Sequence, residues 1–374
     1  MIENSTSSGG KDSMADETGE RVSIVEPVLA EMPWGGRRLA EFGLALPDHV
    51  RIGEALATSD SVRISAGFAS GKTIGEVVVG DPDACLGNRA RAVIGGREIF
   101  PLLVKLLDAN ANLSIQVHPG DDQAASQDRV GKTEAWHVLA AEPGAWLYAG
   151  LQDDVQVEEF LEAAASLDGS SARLLRRISA QPGTTMLLPA GTVHALGAGV
   201  IVYEIQQPSD LTFRLDDWGR VDADGNPREI HQENGAEALR AGLRPDLIVP
   251  VELPANEGRR YLLAACQKFA LERIGLPGGG RYQVADSEGP HVVTVLSGAG
   301  RLGDLSLSAG QSGVVWPGSA PFTLEAAVPT VALRGWVPDL KADLGALLAT
   351  SGVDPAALAQ LSGPLPDVRH AMDL

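Results

Sequence analysis

The chain has 374 residues, with 43 glycines, 23 prolines and 44% apolar side chains, a balance that points to a soluble, turn-rich, mainly β protein with room for two domains and a substantial core. Thirty basic residues against 49 acidic ones leave a formal net charge of −19, which argues against a nucleic-acid or anionic-membrane partner, since either needs a basic footprint. Cys85 and Cys266 are too few for a disulfide framework and form no Cys-x-x-Cys pair, so a reducing cytoplasm is the expected setting.

The first twenty residues are rich in Ser, Gly and acid without the apolar core of a signal peptide, and are expected to form a disordered tail. From about residue 21 short apolar runs alternate with turn signals: Ile74 to Val79, Leu102 to Leu107, Leu113 to Val117, Trp136 to Leu139 and Met186 to Pro189. Such spacing predicts the short strands of an all-β barrel or sandwich. Two Gly-Lys-Thr triplets, at Gly71 and Gly131, do not make phosphate loops: Gly67 lies one residue too close to the first, and Ser126 stands where the second needs glycine. The acidic start and the leucines and arginines of Val155 to Ile178 predict a helical insertion of one or two short helices, within about residues 151–180. Strands resume at Thr185 and run through Val200 to Gln206. Asp222-Ala223-Asp224-Gly225-Asn226 resembles a calcium loop until its sixth position, where Pro227 replaces the required glycine, so an Asp-Gly turn is expected.

After about residue 250 a weak repeat emerges. His291 to Gly298 parallels Glu134 to Ala141, and Pro317 to Phe322 parallels Pro189 to His194, with Phe322 where His194 stands. The later unit, about 251–336, therefore reads as a copy without a metal, and His291 as structural. Pro338 to Leu374 is expected to end the chain as a helical hairpin broken at Gly352 to Asp354.

Chemistry concentrates in Ser114-Ile115-Gln116-Val117-His118-Pro119, Glu134, and Pro189 to His194. Alternation along a strand puts Ser114, Gln116 and His118 on one face and the apolar Leu113, Ile115 and Val117 on the other. Two imidazoles, one carboxylate and one amide oxygen form an N2O2 set suited to a borderline divalent ion such as zinc. Lys132 lies two residues from Glu134 on the same expected strand face, whereas His137 has the opposite parity and is placed outside. Trp136 and Trp218 read as core residues. Gly183 to His194 fits Gly-x5-Pro-x-Gly-x2-His and so resembles the second signature of the cupin family. The first signature is altered, with Gln116 in place of a histidine and a longer loop before Glu134.

Taken together, Phe100 to Leu107, Leu113 to Asp121, Gly131 to Glu134, Leu188 to Leu196 and Tyr203 to Arg214 resemble the type I mannose-6-phosphate isomerases, with Trp34-Gly35-Gly36 and Arg228 to His231 as outer landmarks. The resemblance runs from about residue 25 to 235. It implies two cupin-type β-barrels (jelly rolls): a catalytic one over 21–250, the metal-free copy, and a helical segment over 337–374. It implies one Zn²⁺ per chain held by Gln116, His118, Glu134 and His194, with Arg214 as the catalytic arginine. The implied activity is the interconversion of mannose 6-phosphate and fructose 6-phosphate, in carbohydrate metabolism and GDP-mannose biosynthesis, by a cytoplasmic enzyme with a sugar phosphate as its only necessary partner and no required oligomer. Lys132 is then a base, a phosphate contact or a surface lysine; Glu204 a base or a support for the ligands; Arg214 a catalytic group or an ion pair to Asp210 or Asp216. Ser114 either touches substrate or caps a neighbour. A cupin isomerase for another aldose, or a sugar-binding cupin without turnover, remains the alternative. The chain departs from the family at Gly53-Glu54-Ala55-Leu56, where Gly-Glu-Ser-Trp is common, and at Gly131, where longer members carry a histidine.

Overall fold

The computed structural model describes residues 21–221, 224–284, 288–319 and 321–374; the expected disordered tail, and Asp222 and Ala223 of the expected turn, lie outside them. Among the described residues the strands form four antiparallel sheets, two for each of two barrels. The first barrel has a seven-stranded sheet in the order Leu247–Ile248, Thr185–Leu188, Glu134–Ala141, Val200–Gln206, Leu103–Ala109, Ile52–Thr58, Val28–Gly36. Its second sheet runs Phe213–Asp216, Ile115–Val117, His194–Leu196, Trp146–Leu151, Leu175–Ser179. Trp136, Val138, Met186 and Val202 from the first sheet pack on Leu147 and Leu196 from the second and on Leu113, which precedes strand Ile115–Val117 and faces the barrel interior instead of sharing the outer apolar face of Ile115 and Val117 as expected.

Strand Val200–Gln206 shows how the sequence dictates this arrangement. All seven residues are buried, as expected of a strand covered on both faces, which reads as a near-continuous apolar run. Val200, Val202, Glu204 and Gln206 share the barrel-interior face, while Ile201, Tyr203 and Ile205 share the face that packs on the second barrel. There they meet Leu263, Leu271, Val292 and Leu333, each fully buried aliphatic side chain contributing about 1.5–3 kcal/mol. A Cβ added at Gly335 would stand 2.5 Å from Ile205 Cδ1, so the close approach of the two large sheets depends on that glycine.

The second barrel has an eight-stranded sheet in the order Val251–Leu253, Arg259–Ala265, Ala270–Leu276, Thr330–Trp336, His291–Ser297, Ser312–Val315, Val22–Glu26, Arg63–Gly67. It is completed by Arg281–Val284, Phe322–Ala326, Ala299–Leu302 and Leu305–Ser308. The sheets therefore do not divide at residue 250: Val22–Glu26 and Arg63–Gly67 belong to the later unit, because Val22 and Ile24 fill its core. The expected repeat is visible in space, since the His291 and Phe322 rings lie 5.5 Å apart between centroids, as Glu134 and His194 adjoin in the first barrel.

Three local expectations are corrected. Ile74 to Val79 is not a strand but part of helix Ile74–Gly80, started by a capping box in which Thr73 and Glu76 satisfy each other's backbone N–H groups; a second helix, Pro82–Val93, follows. The insertion is helical only over Val157–Ala164 and the 3-10 turn Ser170–Leu174. Leu175–Ser179 is a strand, with alternating burial, because it completes the sheet beside Trp146–Leu151. The C-terminal segment breaks at Gly352, φ 64°, and restarts at the Asp354 cap as expected, but it holds three helices, Leu340–Ser351, Pro355–Ala359 and Asp367–Met372, rather than a two-helix hairpin.

Candidate metal centre

Neighbouring strands deliver the site residues to one place. Gln116 pairs with His194 on one side and with Arg214 on the other, and Glu134 begins the strand that pairs with Val200–Gln206. The loops are tied down through the backbone: Gly191 N–H donates to His118 O at 2.8 Å and Lys132 N–H to Pro119 O at 3.1 Å. The turn at Gly191 has φ 91°, which glycine adopts without strain. At Gly131 a Cβ would lie 2.7 Å from Asp121 N, so this backbone path leaves no room for a side chain.

His118, Glu134 and His194 are buried, and one ligand atom from each lies within 4.8 Å of the others. The Nε2 atoms of His118 and His194 each stand 3.4 Å from a different Glu134 oxygen. Both Nδ1–H groups point away, donating to Leu211 O at 2.9 Å and Thr192 O at 2.8 Å; that arrangement leaves the Nε2 lone pairs toward the cluster, as metal-binding histidines require. Burial first, then the Lys132 ammonium and the neighbouring imidazole, hold His118 well below its usual range, and burial likewise lowers His194. Gln116 places its amide 3.3 Å from His194 Nε2 and accepts a hydrogen bond from Ser114 Oγ at 3.1 Å. The two ends of an amide interchange by rotation, so the same side chain presents oxygen to a cation while Ser114 accepts from its nitrogen. Ser114 thus bonds its neighbour. Glu134 Oε1 is buried without a hydrogen-bond partner. These features fit a divalent cation.

The Lys132 ammonium donates to Glu134 Oε2 and lies 2.9 Å from His118 Nε2, so it is a buried site residue and not a surface lysine. Burial pushes the Glu134 carboxyl up, but Lys132 and His194 outweigh it and the net shift is down; Glu204 is raised, by burial and then by the Glu134 charge. Glu204 also accepts the Trp136 indole N–H at 3.0 Å, giving that core tryptophan a role in the site. His137 faces away and bonds Thr185 Oγ1 at 2.8 Å. Trp218 donates its indole N–H to Leu113 O at 2.7 Å.

A cavity of about 350 Å³ opens over this cluster, lined by Ser114, Gln116, Lys132, Glu204, Arg214 and Arg228 among others. Arg214 donates to Glu229 O at 2.7 Å and has no carboxylate within 4 Å among the described residues. Asp210 instead faces Arg129, and Asp216 accepts from Gly169, Ser171 and Trp218. Burial, followed by Arg228, lowers the Arg214 pKa. Three residues given no role in the sequence also stand here. Lys105 bonds Glu54 at 2.9 Å and both line the cavity, and Arg228 is gripped by Asp217. A lone lysine inside the apolar run Leu102 to Leu107 was the available signal for Lys105.

A double barrel of this kind, with a His–Glu–His cluster under a polar cavity, defines a cupin-fold protein with a candidate metal site. Residues 52–139 match the family described as phosphomannose isomerase type I, catalytic domain. The chain is 39% identical over 292 residues to a probable mannose-6-phosphate isomerase of Bacillus subtilis, covering 75% of this chain and 87% of that one. It is 33% identical over 274 residues to a mannose-6-phosphate isomerase of Streptococcus mutans, covering 72% and 83%. The crystal structure of the mannose 6-phosphate isomerase from B. subtilis superimposes with a TM-score of 0.73 at 28% identity, covering 84% of this chain and 99% of that one. The chain belongs to the type I mannose-6-phosphate isomerase (phosphomannose isomerase) family.

Proposed function

We propose that the chain interconverts D-mannose 6-phosphate and D-fructose 6-phosphate through an enediol, using one zinc ion held by Gln116, His118, Glu134 and His194. The observation that carries this reading is the buried His118–Glu134–His194 cluster with an unsatisfied Glu134 oxygen, at the base of a cavity walled by Lys132, Glu204 and Arg214. A zinc ion there supplies Lewis-acid chemistry to a sugar carbonyl and its neighbouring hydroxyl. The chain's own residues supply the rest. Isomerisation transfers a proton between C1 and C2, and we assign it to Lys132 and Glu204, the cavity-lining titratable groups next to Glu134, with Lys132 Nζ 4.0 Å from Glu204. Burial and then the Glu134 charge raise the pKa of the Glu204 carboxyl, the direction that suits a group exchanging protons. Arg214, free of any carboxylate partner, offers a guanidinium to developing negative charge or to phosphate; Ser114, beside it on the cavity wall, offers a second polar contact to the substrate.

The reading assigns no role to a second copy. Among the described residues no helix is long and apolar enough to cross a membrane. We place the reaction in the cytoplasm, in carbohydrate metabolism leading to GDP-mannose. The decisive experiment measures bound metal and isomerase rate on one purified sample, across mannose 6-phosphate, free mannose and other aldose phosphates. Zinc near one per chain and fastest turnover of mannose 6-phosphate support the reading. Faster turnover of another aldose, or none at full metal occupancy, refutes it.

A further inference from the structure

The hydrogen-bond registers align the two barrels residue by residue. His291 pairs with Trp336 as Glu134 pairs with Gln206. Two residues earlier on strands Thr330–Trp336 and Val200–Gln206, Arg334 pairs with Glu272 as Glu204 pairs with Lys105. One strand further out, Arg260 pairs with Ile274 as Glu54 pairs with Leu107. The row Glu54, Lys105, Glu204 of the first barrel thus has Arg260, Glu272, Arg334 as its counterpart, and the side-chain types are inverted at all three positions. The ion pairs correspond as well: Lys105 to Glu54 at 2.9 Å, Arg260 Nε to Glu272 Oε1 at 2.6 Å.

In the first barrel this row flanks a cluster suited to a cation. In the second it ends at Arg334, whose side chain is only 8% exposed. Glu272 Oε2 lies 3.0 Å from Arg334 Nε, an electrostatic pair without a hydrogen bond, and Glu272 also takes Arg260 and the Tyr282 hydroxyl. Trp336 braces the guanidinium at 3.9 Å from its ring centroid. No hydrogen bond to a protein acceptor occupies the terminal nitrogens among the described residues, and Arg334 lines a cavity of about 480 Å³ together with Arg89, Arg260, His291, Trp336 and Leu344. The carboxylates nearby are engaged: Glu288 and Asp339 face Arg89, and Asp343 accepts the Trp336 indole N–H at 3.2 Å. A guanidinium fork that is nearly buried with its two ends open matches the planar geometry of a carboxylate or phosphoryl group.

We propose that the mouth of the second barrel is a separate binding site for a small metabolite bearing an oxyanion, which docks on Arg334 with its carbon skeleton against Leu262 and Leu344. The charge inversion of a shared strand framework gives the two barrels opposite ligands, a metal cation in one and an organic anion in the other. The site lies outside the catalytic cavity, and its occupancy is independent of turnover.

Calorimetric titration of the metal-loaded full chain with a hexose 6-phosphate, inorganic phosphate and gluconate tests this. The expected result is a binding event that survives Arg214→Ala and weakens by at least about tenfold on Arg334→Gln, the scale of a charge-assisted hydrogen-bonded pair. Because Arg334→Gln leaves Glu272 with fewer partners and folding can suffer, Ala342→Trp provides a second variant: Ala342 is exposed at the cavity rim, and the indole blocks entry without touching the Arg334–Glu272 pair. Loss of the event in Ala342→Trp, with isomerase rate unchanged, supports the site. Binding of gluconate alone assigns a carboxylate ligand, and binding of either phosphate probe assigns a phosphoryl one. The proposal is overturned if none of the three probes binds outside the Arg214 site, or if Arg334→Gln and Ala342→Trp both keep the event at full affinity.

Discussion

Replacing Lys132 by methionine separates the charge of that side chain from its bulk and asks what compensates Glu134. Glu134 is fully buried, its Oε1 has no hydrogen-bond partner, and Lys132 is the one lysine or arginine within 4 Å of the carboxylate among the described residues. Burial disfavours the charged form of both nearby imidazoles. Lys132→Met therefore strands a buried carboxylate, which costs about 3–5 kcal/mol. A divalent ion on the same ligands restores the countercharge, so in zinc the loss should shrink to about 1 kcal/mol, the ordinary size of a point substitution. Linkage turns the difference of about 2–4 kcal/mol into zinc affinity: the variant should bind zinc roughly 30- to 1000-fold more tightly than the wild type. Denaturant unfolding in chelator and in buffered zinc, with competitive zinc titration on the same samples, measures both quantities. Equal destabilisation with and without zinc, or weaker zinc binding by the variant, would refute the idea that ammonium and metal share the Glu134 site.

His118→Ala and His194→Ala should each lose metal and activity together by elemental analysis and rate assay; full metal occupancy in both would remove these residues from the ligand set. Arg214→Ala should lower kcat strongly with a smaller change in KM, as expected of a contact made mainly in the transition state, while a raised KM at constant kcat would make it a phosphate clamp instead. Burial opposes the Asp217 charge, but Arg228 and Arg220 outweigh it and hold its carboxyl below the ordinary 3.8. Its contribution to stability is therefore present above that value and lost as pH falls through the depressed one. Asp217→Asn should cost about 1–3 kcal/mol at pH 7, with the gap to wild type closing below pH 3.8; a gap that stays constant into acid contradicts the ion-pair account. His291→Asn should leave metal content intact and turnover within a few fold, and loss of metal would show that the second barrel contributes to the first site.

Strand periodicity was readable wherever one segment carried its own evidence. Ser114, Gln116 and His118 alternate with apolar residues, and Val200 to Gln206 is apolar enough to announce burial on both faces, so the ligand strands and the central strand emerged from the sequence. Ile74 to Val79 misled because a short apolar run serves strand and helix alike; the Thr73-x-x-Glu76 capping box, four residues long, was the local signal that decides between them. Leu175–Ser179 carried no such signal. Its leucines and arginines suit a helix, and only pairing with Trp146–Leu151 makes it a strand. The membership of Val22–Glu26 in the later barrel is beyond any local reading, since its partners Ser312–Val315 lie almost the whole chain away.

The site shows the same division between residue type and placement. Gln116, His118, Glu134 and His194 form a candidate ligand set by their chemistry, and the structure brings His118, Glu134 and His194 into one cluster with the Gln116 amide 3.3 Å from His194 Nε2. Arg214 was ambiguous because aspartates stand close to it in sequence; in space those aspartates serve Arg129 and the Gly169–Ser171 turn. Sequence proximity counts possible partners, whereas the pocket is defined by the cation that none of them takes. In a chain of net charge −19, a substrate phosphate meets its attraction only where carboxylates have been drawn off to other cations. Asp217 makes the point from the other side: it binds Arg220 and Arg228 at once, and by absorbing their charge it leaves Arg214 as the guanidinium on that wall whose charge is not offset by a contacting carboxylate.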